Sequence, residues 1–236
     1  MNLRHALRWY PALLKDLVLR KLKRPYVPKD FWEQRHAAEH TFWTVGRRAF
    51  DEQGNTEWYG RLAHDLVAAF EARHLDLKQL AVYEIGAGTG YWTTLVRDLG
   101  CTRYQGTDIA ESAIAWLRPK FPGYAFAVRD AAEEPIPGAW DVILMIHVDE
   151  HIHGPRFDAT LRHIRAALAS GGHFFTTYSA TPKASGVNYV EYHGIIDYRR
   201  VFPADWITAL PQPNGGDPLL CMAPGLQPWP DDCLVD

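Results

Sequence analysis

Ala81-Val82-Tyr83-Glu84-Ile85-Gly86-Ala87-Gly88-Thr89-Gly90 holds the chain's strongest structural signal. Its first five residues are mostly apolar and read as a short buried strand, and Gly86 to Gly90 form a glycine-rich turn. The residues that follow, through Leu95 and Leu99, have helical spacing, and Gly100 can end that helix in a left-handed conformation. A strand, a glycine turn and a helix make the opening of a βαβ unit. The alternation continues downstream. Residues 103–107 predict a second strand, 111–118 a helix stopped near Pro119, 124–128 a third strand and Asp141–Ile146 a central fourth. Phe157, Leu161, Ile164 and Leu168 mark another helix with Gly171-Gly172 past its end, and His173–Tyr178 a fifth strand. Upstream, residues 61–73 look helical, with Leu62, Leu66, Ala69 and Phe70 on one side. The expected fold is α/β: a doubly wound, mostly parallel sheet with helices on both faces.

The loop's spacing separates two ligand classes. Dinucleotide enzymes place the third glycine three residues after the second. Here Gly90 follows Gly88 by two, and Glu84 precedes Gly86 by two. A carboxylate there would repel a pyrophosphate and attract the cationic aminoacyl end of S-adenosylmethionine. With these residues the sequence resembles the class I S-adenosylmethionine-dependent methyltransferases, whose first motif is close to E-x-G-x-G-x-G. The resemblance covers about residues 79–179 and implies a cofactor site at Glu84, Gly86, Ala87, Gly88 and Gly90. Asp108 follows the second strand, where an acidic residue accepts both ribose hydroxyls, and Ile109 beside it would pack on the adenine. Asp130, with Ala131 after it, follows the third strand, where the family often bonds the adenine amino group. Met145 at the fourth strand's end completes the expected set. Carboxylates singly at turns are ordinary caps, but three at successive strand ends define a crevice.

The acceptor side is expected on His147-Val148-Asp149-Glu150-His151-Ile152-His153. A hydroxyl acceptor must lose its proton during transfer, and histidine suits that task near neutral pH. His151 is the first candidate for the base and His147 the second. The family has no universal base here, so neither role is inherited. The resemblance leaves O-methylation of a small or glycosylated acceptor first, ahead of N-methylation of a small amine. A non-catalytic cofactor-binding subunit and a nucleotide-dependent oxidoreductase are further alternatives; the glycine spacing and Glu84 disfavour the second. No metal is expected, although histidines and Asp149 at alternate positions can converge on one. Nucleic-acid amino methyltransferases carry Asp/Asn-Pro-Pro-Tyr/Phe after strand four; Met145-Ile146-His147-Val148 stands here, so no nucleic-acid partner is expected. Aromatics over residues 31–59, together with Tyr178, Tyr189, Tyr192 and His193, are candidates for a pocket wall. Phe31-Trp32-Glu33-x-Arg35 loosely resembles an entry segment of small-molecule methyltransferases.

The composition agrees with a globular enzyme. The 236 residues are 47% hydrophobic, enough to fill one large core. The net charge of −3 gives no bias toward nucleic acid, yet residues 1–36 hold nine Lys or Arg against three Asp or Glu. Leu3, Leu7, Tyr10, Leu14 and Leu17 form one helical face amid that charge. This basic N-terminal helix packs on the domain or touches an anionic membrane surface or a partner. Residues 1–60 read as a helical, aromatic-rich extension and 61–236 as the Rossmann-like domain. Cys101, Cys221 and Cys233 show neither a disulfide framework nor a zinc spacing, which fits a reducing cytoplasm. No apolar run reaches the roughly 18 residues of a membrane span, and a soluble protein is expected. At the C-terminal end, Asp197–Leu210 is a candidate helix and Leu219–Met222 a strand, with no convincing seventh strand in the Pro-rich tail. The oligomeric state stays open.

Overall fold

A computed structural model of the chain describes residues 25–47, 49–180, 185 and 187–225. The expected basic helix before residue 25 and the tail beyond 225 lie outside the described residues. Helices α1 (Pro28–Ala38), α2 (Phe42–Val45) and α3 (Glu52–Ala72) come first. Then follow β1 (Ala81–Ile85), α4 (Tyr91–Asp98), β2 (Arg103–Asp108), α5 (Glu111–Lys120), β3 (Ala125–Val128) and β4 (Trp140–Met145). A 3-10 turn at Asp149–His151 leads to α6 (Pro155–Ala167), β5 (Leu168–Thr177), α7 (Ile195–Tyr198), β6 (Ile207–Ala209) and β7 (Leu219–Met222). The strands form one sheet in the order β3-β2-β1-β4-β5-β7-β6. β1 through β5 are parallel, and β7 runs antiparallel to both β5 and β6. The strand order reverses between β1 and β4, and ligands of such sheets bind outside the carboxyl ends at that point.

The pleat sends alternate residues to opposite faces. Val82, Val142 and Leu144 pack beneath α3, α4 and α5 in one core, through Leu62, Leu66, Val96 and Leu117. Tyr83, Ile85, Ile143 and Met145 pack on the other face against Phe157, Leu161 and Ile164 of α6 and against Tyr198. Each such fully buried side chain contributes roughly 1.5–3 kcal/mol relative to exposure.

Three expectations are corrected. The helix expected from residue 61 begins at Glu52, because Asp51 caps it by accepting the Gly54 N–H at 2.8 Å. Helix α3 therefore runs unbroken through residue 60, where the sequence divided extension from domain. Leu168 opens β5 rather than closing α6, and the strand runs through Gly171-Gly172. A register shift between Trp140 and Val142 makes room there, and a side chain on Gly172 would meet the Trp140 carbonyl oxygen at 2.8 Å. Finally, Asp197–Leu210 is not one helix. It holds the end of α7, a 3-10 turn at Ala204–Trp206 and the three-residue β6, so Leu219–Met222 is the seventh strand.

Candidate active site

The β1–α4 loop is shaped by backbone that only glycine adopts cheaply. Gly86 and Gly88 have φ of +74° and +51°. A Cβ on Gly86 would lie 2.3 Å from Val148 Cγ2, so the glycine loop and the loop after β4 touch directly. The N–H groups of Gly86 and Ala87 both donate to the Thr107 carbonyl, at 2.8 and 2.9 Å. Asp108, at the end of β2, locks the arrangement: Oδ2 accepts the Gly88 N–H at 3.0 Å and Oδ1 the Ala110 N–H at 2.9 Å. Asp108 is 7% exposed at the cleft wall.

A cleft opens above these strand ends. Nine of the sequence-derived residues meet in its lining: Gly86, Ala87, Gly88, Asp108, Ile109, Asp130, Ala131, His147 and His151. Three do not. Gly90 packs beneath α5, where a Cβ would meet Leu117 and Phe121. Met145 points into the core on the α6 side, and Ile146 takes the lining position instead. Glu84 lies behind the loop, 1% exposed, accepting hydrogen bonds from the hydroxyls of Tyr104 and, at 3.0 Å, Thr93. Burial pushes its carboxyl up to about 7, and those two hydrogen bonds oppose the rise. Its Oε1 is buried without a partner.

Residues beyond the expected cofactor and base positions complete the walls. Arg156 of α6 donates to Asp130 Oδ2 at 2.6 Å and also pairs with Glu133. Asp130 Oδ1 accepts the Ala132 N–H at 3.0 Å. Across the cleft, α1 and the residues just after it are moored to α5: Glu33 accepts the Ser112 N–H at 3.2 Å and His40 stacks on Trp116 at 4.6 Å. This mooring sets Trp32 and His36 over the opening. His36 is 1% exposed, its Nδ1 has no partner, and burial lowers its pKa. It gave no sequence signal because one histidine on a polar helix has no informative spacing.

The two expected histidines differ in their surroundings. His147 has a φ of +57°, uncommon outside glycine, and its N–H donates to Thr177 Oγ1 at 2.9 Å. Thr177 in turn donates to Asp149 at 2.8 Å, tying the loop to β5. Burial, first, and then Glu150 push the Asp149 carboxyl well up. His151 donates from Nδ1 to the Tyr189 carbonyl at 2.8 Å and meets the Trp32 ring edge-on at 4.8 Å. Its pKa is pushed down to about 4, chiefly by burial. Burial also lowers the His147 pKa, so the imidazoles at this end of the cleft are neutral at pH 7. Of the aromatics named as pocket candidates, Trp32 and Tyr59 line the cleft, while Tyr189 stacks behind on Phe31 at 4.8 Å. Among the described residues, no group of three or more His, Cys, Asp or Glu is placed to hold a metal ion.

The strand order, the glycine loop and the acidic residues at successive strand ends define a class I S-adenosylmethionine-dependent methyltransferase. A family model described as a methyltransferase domain matches residues 49–210, and the chain belongs to that family. Among solved structures, it is similar to magnesium protoporphyrin IX methyltransferase from Synechocystis PCC 6803 with bound S-adenosylmethionine. There the identity is 17%, the TM-score 0.60, and the coverage 85% of this chain and 99% of that one. It also resembles the N-methyltransferase NodS from Bradyrhizobium japonicum WM9 in complex with S-adenosylhomocysteine, at 16% identity and a TM-score of 0.58, covering 81% and 96%. These likenesses concern the fold. A curated relative, squalestatin hexaketide synthase of Phoma sp., is 27% identical over 137 residues, 51% of this chain and 5% of the relative. The chain thus spans a small fraction of that relative's length.

The residues present fit the cofactor. The loop glycines leave backbone open to a ligand, Asp108 keeps lone pairs beyond its two backbone contacts, and Ile109 and Ala131 supply apolar wall.

Proposed function

We propose that the enzyme methylates a hydroxyl of an uncharged small molecule, with His151 as the base. One observation carries this reading: the Nδ1 of His151 is committed to the Tyr189 carbonyl, which leaves Nε2 with its lone pair at a cleft-lining side chain. A carbonyl only accepts, so the proton sits on Nδ1 and the tautomer is set. Bound S-adenosylmethionine supplies an activated methyl group. The chain must then hold the acceptor oxygen in line and take its proton as the new bond forms. Trp32, Tyr59, Ile146 and Ile152 give this end of the cleft an apolar, aromatic wall, and its imidazoles are neutral. Such a lining favours an uncharged, flat-bodied acceptor over an ionic one. The likenesses to a magnesium protoporphyrin IX methyltransferase and to a hexaketide synthase agree with a small-molecule acceptor.

N-methylation of a small amine is the second reading, favoured by the likeness to NodS, which is an N-methyltransferase. A neutral amine needs positioning and no base. We infer no nucleic-acid partner, since Met145-Ile146-His147-Val148 follows the fourth strand's path without the amino-methyltransferase motif. A cytoplasmic enzyme, with the basic N-terminal segment touching anionic membrane, is the accompanying expectation. Among the described residues no helix is long and apolar enough to cross a membrane. The deciding experiment offers methyl-labelled S-adenosylmethionine with a metabolite extract and locates the labelled atom by mass spectrometry. A label on oxygen is expected; a label on nitrogen overturns the hydroxyl reading.

A further inference from the structure

The geometry points to Asp217 as a positioning residue for the transfer: together with Arg47 it braces His147 at the acceptor end. The β6–β7 loop that carries Asp217 has one seat on α3. Asp65, 2% exposed, accepts hydrogen bonds from Asn214 N at 3.1 Å, Asn214 Nδ2 at 2.8 Å and Gly216 N at 3.0 Å. A Cβ on Gly216 would lie 2.7 Å from Asp65 Oδ2 and 2.9 Å from Leu62 Cα, so the next residue is delivered to a defined place.

At that place Asp217 meets two partners. Arg47 Nη2 donates to both carboxylate oxygens, at 2.8 and 3.0 Å. The His147 Nε2 lies 3.5 Å from Oδ2, close enough for attraction, and is buried with no hydrogen-bond partner. Arg47 is itself fixed from the far side. Asn55, 1% exposed, accepts the Arg47 N–H at 2.8 Å and donates to its carbonyl at 3.1 Å. The guanidinium stands 4.2 Å from the Trp58 ring centre, and that same ring is 4.6 Å from the His147 imidazole. His147 is therefore caught between Trp58, Tyr59 and the Arg47–Asp217 pair, in a backbone conformation that needs such support.

The charges around the ring oppose one another. Burial is the largest influence and disfavours the imidazolium; Glu150 and Asp217 favour it, while Arg47 and His151 oppose it. Asp217 thus favours the charged form of the buried imidazole against its burial, and Arg47 limits that pull. This role rests on the assignment of the acceptor end made above, but its test needs no turnover.

The test follows the titration of His147 by NMR in the full chain labelled with ¹⁵N-histidine and saturated with S-adenosylhomocysteine. Asp217→Asn keeps the side chain's shape and should shift the titration to lower pH. Arg47→Ala should shift it to higher pH, and Asp217→Glu should restore the wild-type direction. Opposite shifts in the first two variants support the role, since simple loosening of the loop moves both alike. Shifts in the same direction, or none, overturn it. A nitrogen-labelled product in the acceptor assay would sink the hydroxyl reading and leave this result standing.

Discussion

The Tyr189 carbonyl oxygen lies 2.8 Å from Nδ1 of His151, joining the loop after β4 to the segment that follows β5. Phe31 of α1 stacks on the Tyr189 ring at 4.8 Å and Trp32 abuts His151 edge-on, so three separate parts of the chain converge on one imidazole. Tyr26 strengthens the junction by accepting from Trp32 Nε1 at 3.1 Å and donating to the His151 carbonyl at 3.3 Å. The ring is held in one tautomer by contacts that do not involve a bound molecule.

His151→Ala should therefore lower turnover by about 10²–10⁴-fold while the affinity for S-adenosylhomocysteine hardly changes. The pH profile sharpens the test. A base works when deprotonated, and burial has pushed the His151 pKa down to about 4. The rate should stay flat as pH falls through 6.5, the ordinary histidine value, and drop only toward pH 4. A rate that halves near pH 6.5, or an alanine variant with full activity, would remove His151 from the role.

The two central loop glycines should respond differently to alanine. At Gly86 the φ is +74° and the new Cβ would strike Val148 at 2.3 Å, so both stability and cofactor binding should fall. At Gly88 the nearest atoms to a Cβ are Val45 Cγ1 at 3.4 Å, the Gly86 carbonyl oxygen at 3.7 Å and His36 at 3.8 Å, which is ordinary contact. Backbone strain of about 1–3 kcal/mol is then the main cost to folding, and the larger loss should be in binding. Calorimetry with S-adenosylhomocysteine, set beside denaturant unfolding, separates these effects. Equal stability losses in the two variants would contradict the Val148 contact.

The sheet was legible where burial makes strands continuous in apolar character. β1 and β4 are covered on both faces, so Ala81–Ile85 and Asp141–Ile146 stand out in the sequence. The glycine loop and the carboxylates at the ends of β2 and β3 were legible because their spacing is local. What escaped depends on distant partners. The first turns of α3, Glu52–Glu57, are polar and include Gly54, so no apolar period announces them; the Asp51 cap and the buried Asn55 hold them in place. The three-residue β6 is too short for alternation to show. The Arg156–Asp130 pair and the placement of His36 over Gly88 arise only when α6 and α1 dock.

Asp108→Ala should weaken S-adenosylmethionine binding by about 1–3 kcal/mol, the usual cost of losing charged hydrogen bonds. The structure adds that the same carboxylate holds the N–H groups of Gly88 and Ala110. Asp108→Asn should then rescue incompletely, because its amide turns a donor toward one of those two donors. Calorimetry on both variants checks this. Wild-type affinity in the asparagine variant would show that neither the charge nor the second acceptor matters.

Glu84 predicts an unusual dependence of stability on pH. Its folded-state pKa of about 7 is above the 4.5 of a free glutamate, because the folded protein buries the carboxyl beside Tyr104 and Thr93. The folded state therefore holds this proton more tightly than the unfolded chain. Its contribution is fully present below pH 4.5 and is lost as pH rises through 7. The cost of ionisation in place is about 3 kcal/mol, from a shift between 4.5 and about 7. The buried histidines act in the opposite sense: the folded-state pKa values of His36, His147 and His151 are lowered, so their contribution is lost as pH falls below about 6.5. A direct comparison of wild type with Glu84→Gln isolates the carboxyl from that background. The glutamine oxygen still accepts from Tyr104 and Thr93, and its amide occupies the place of the unpartnered Oε1. Denaturant unfolding at pH 5 and pH 8 should show the wild type losing about 2.5 kcal/mol relative to the variant. Parallel stability curves across that range would mean that Glu84 ionises freely and that its burial carries no electrostatic cost.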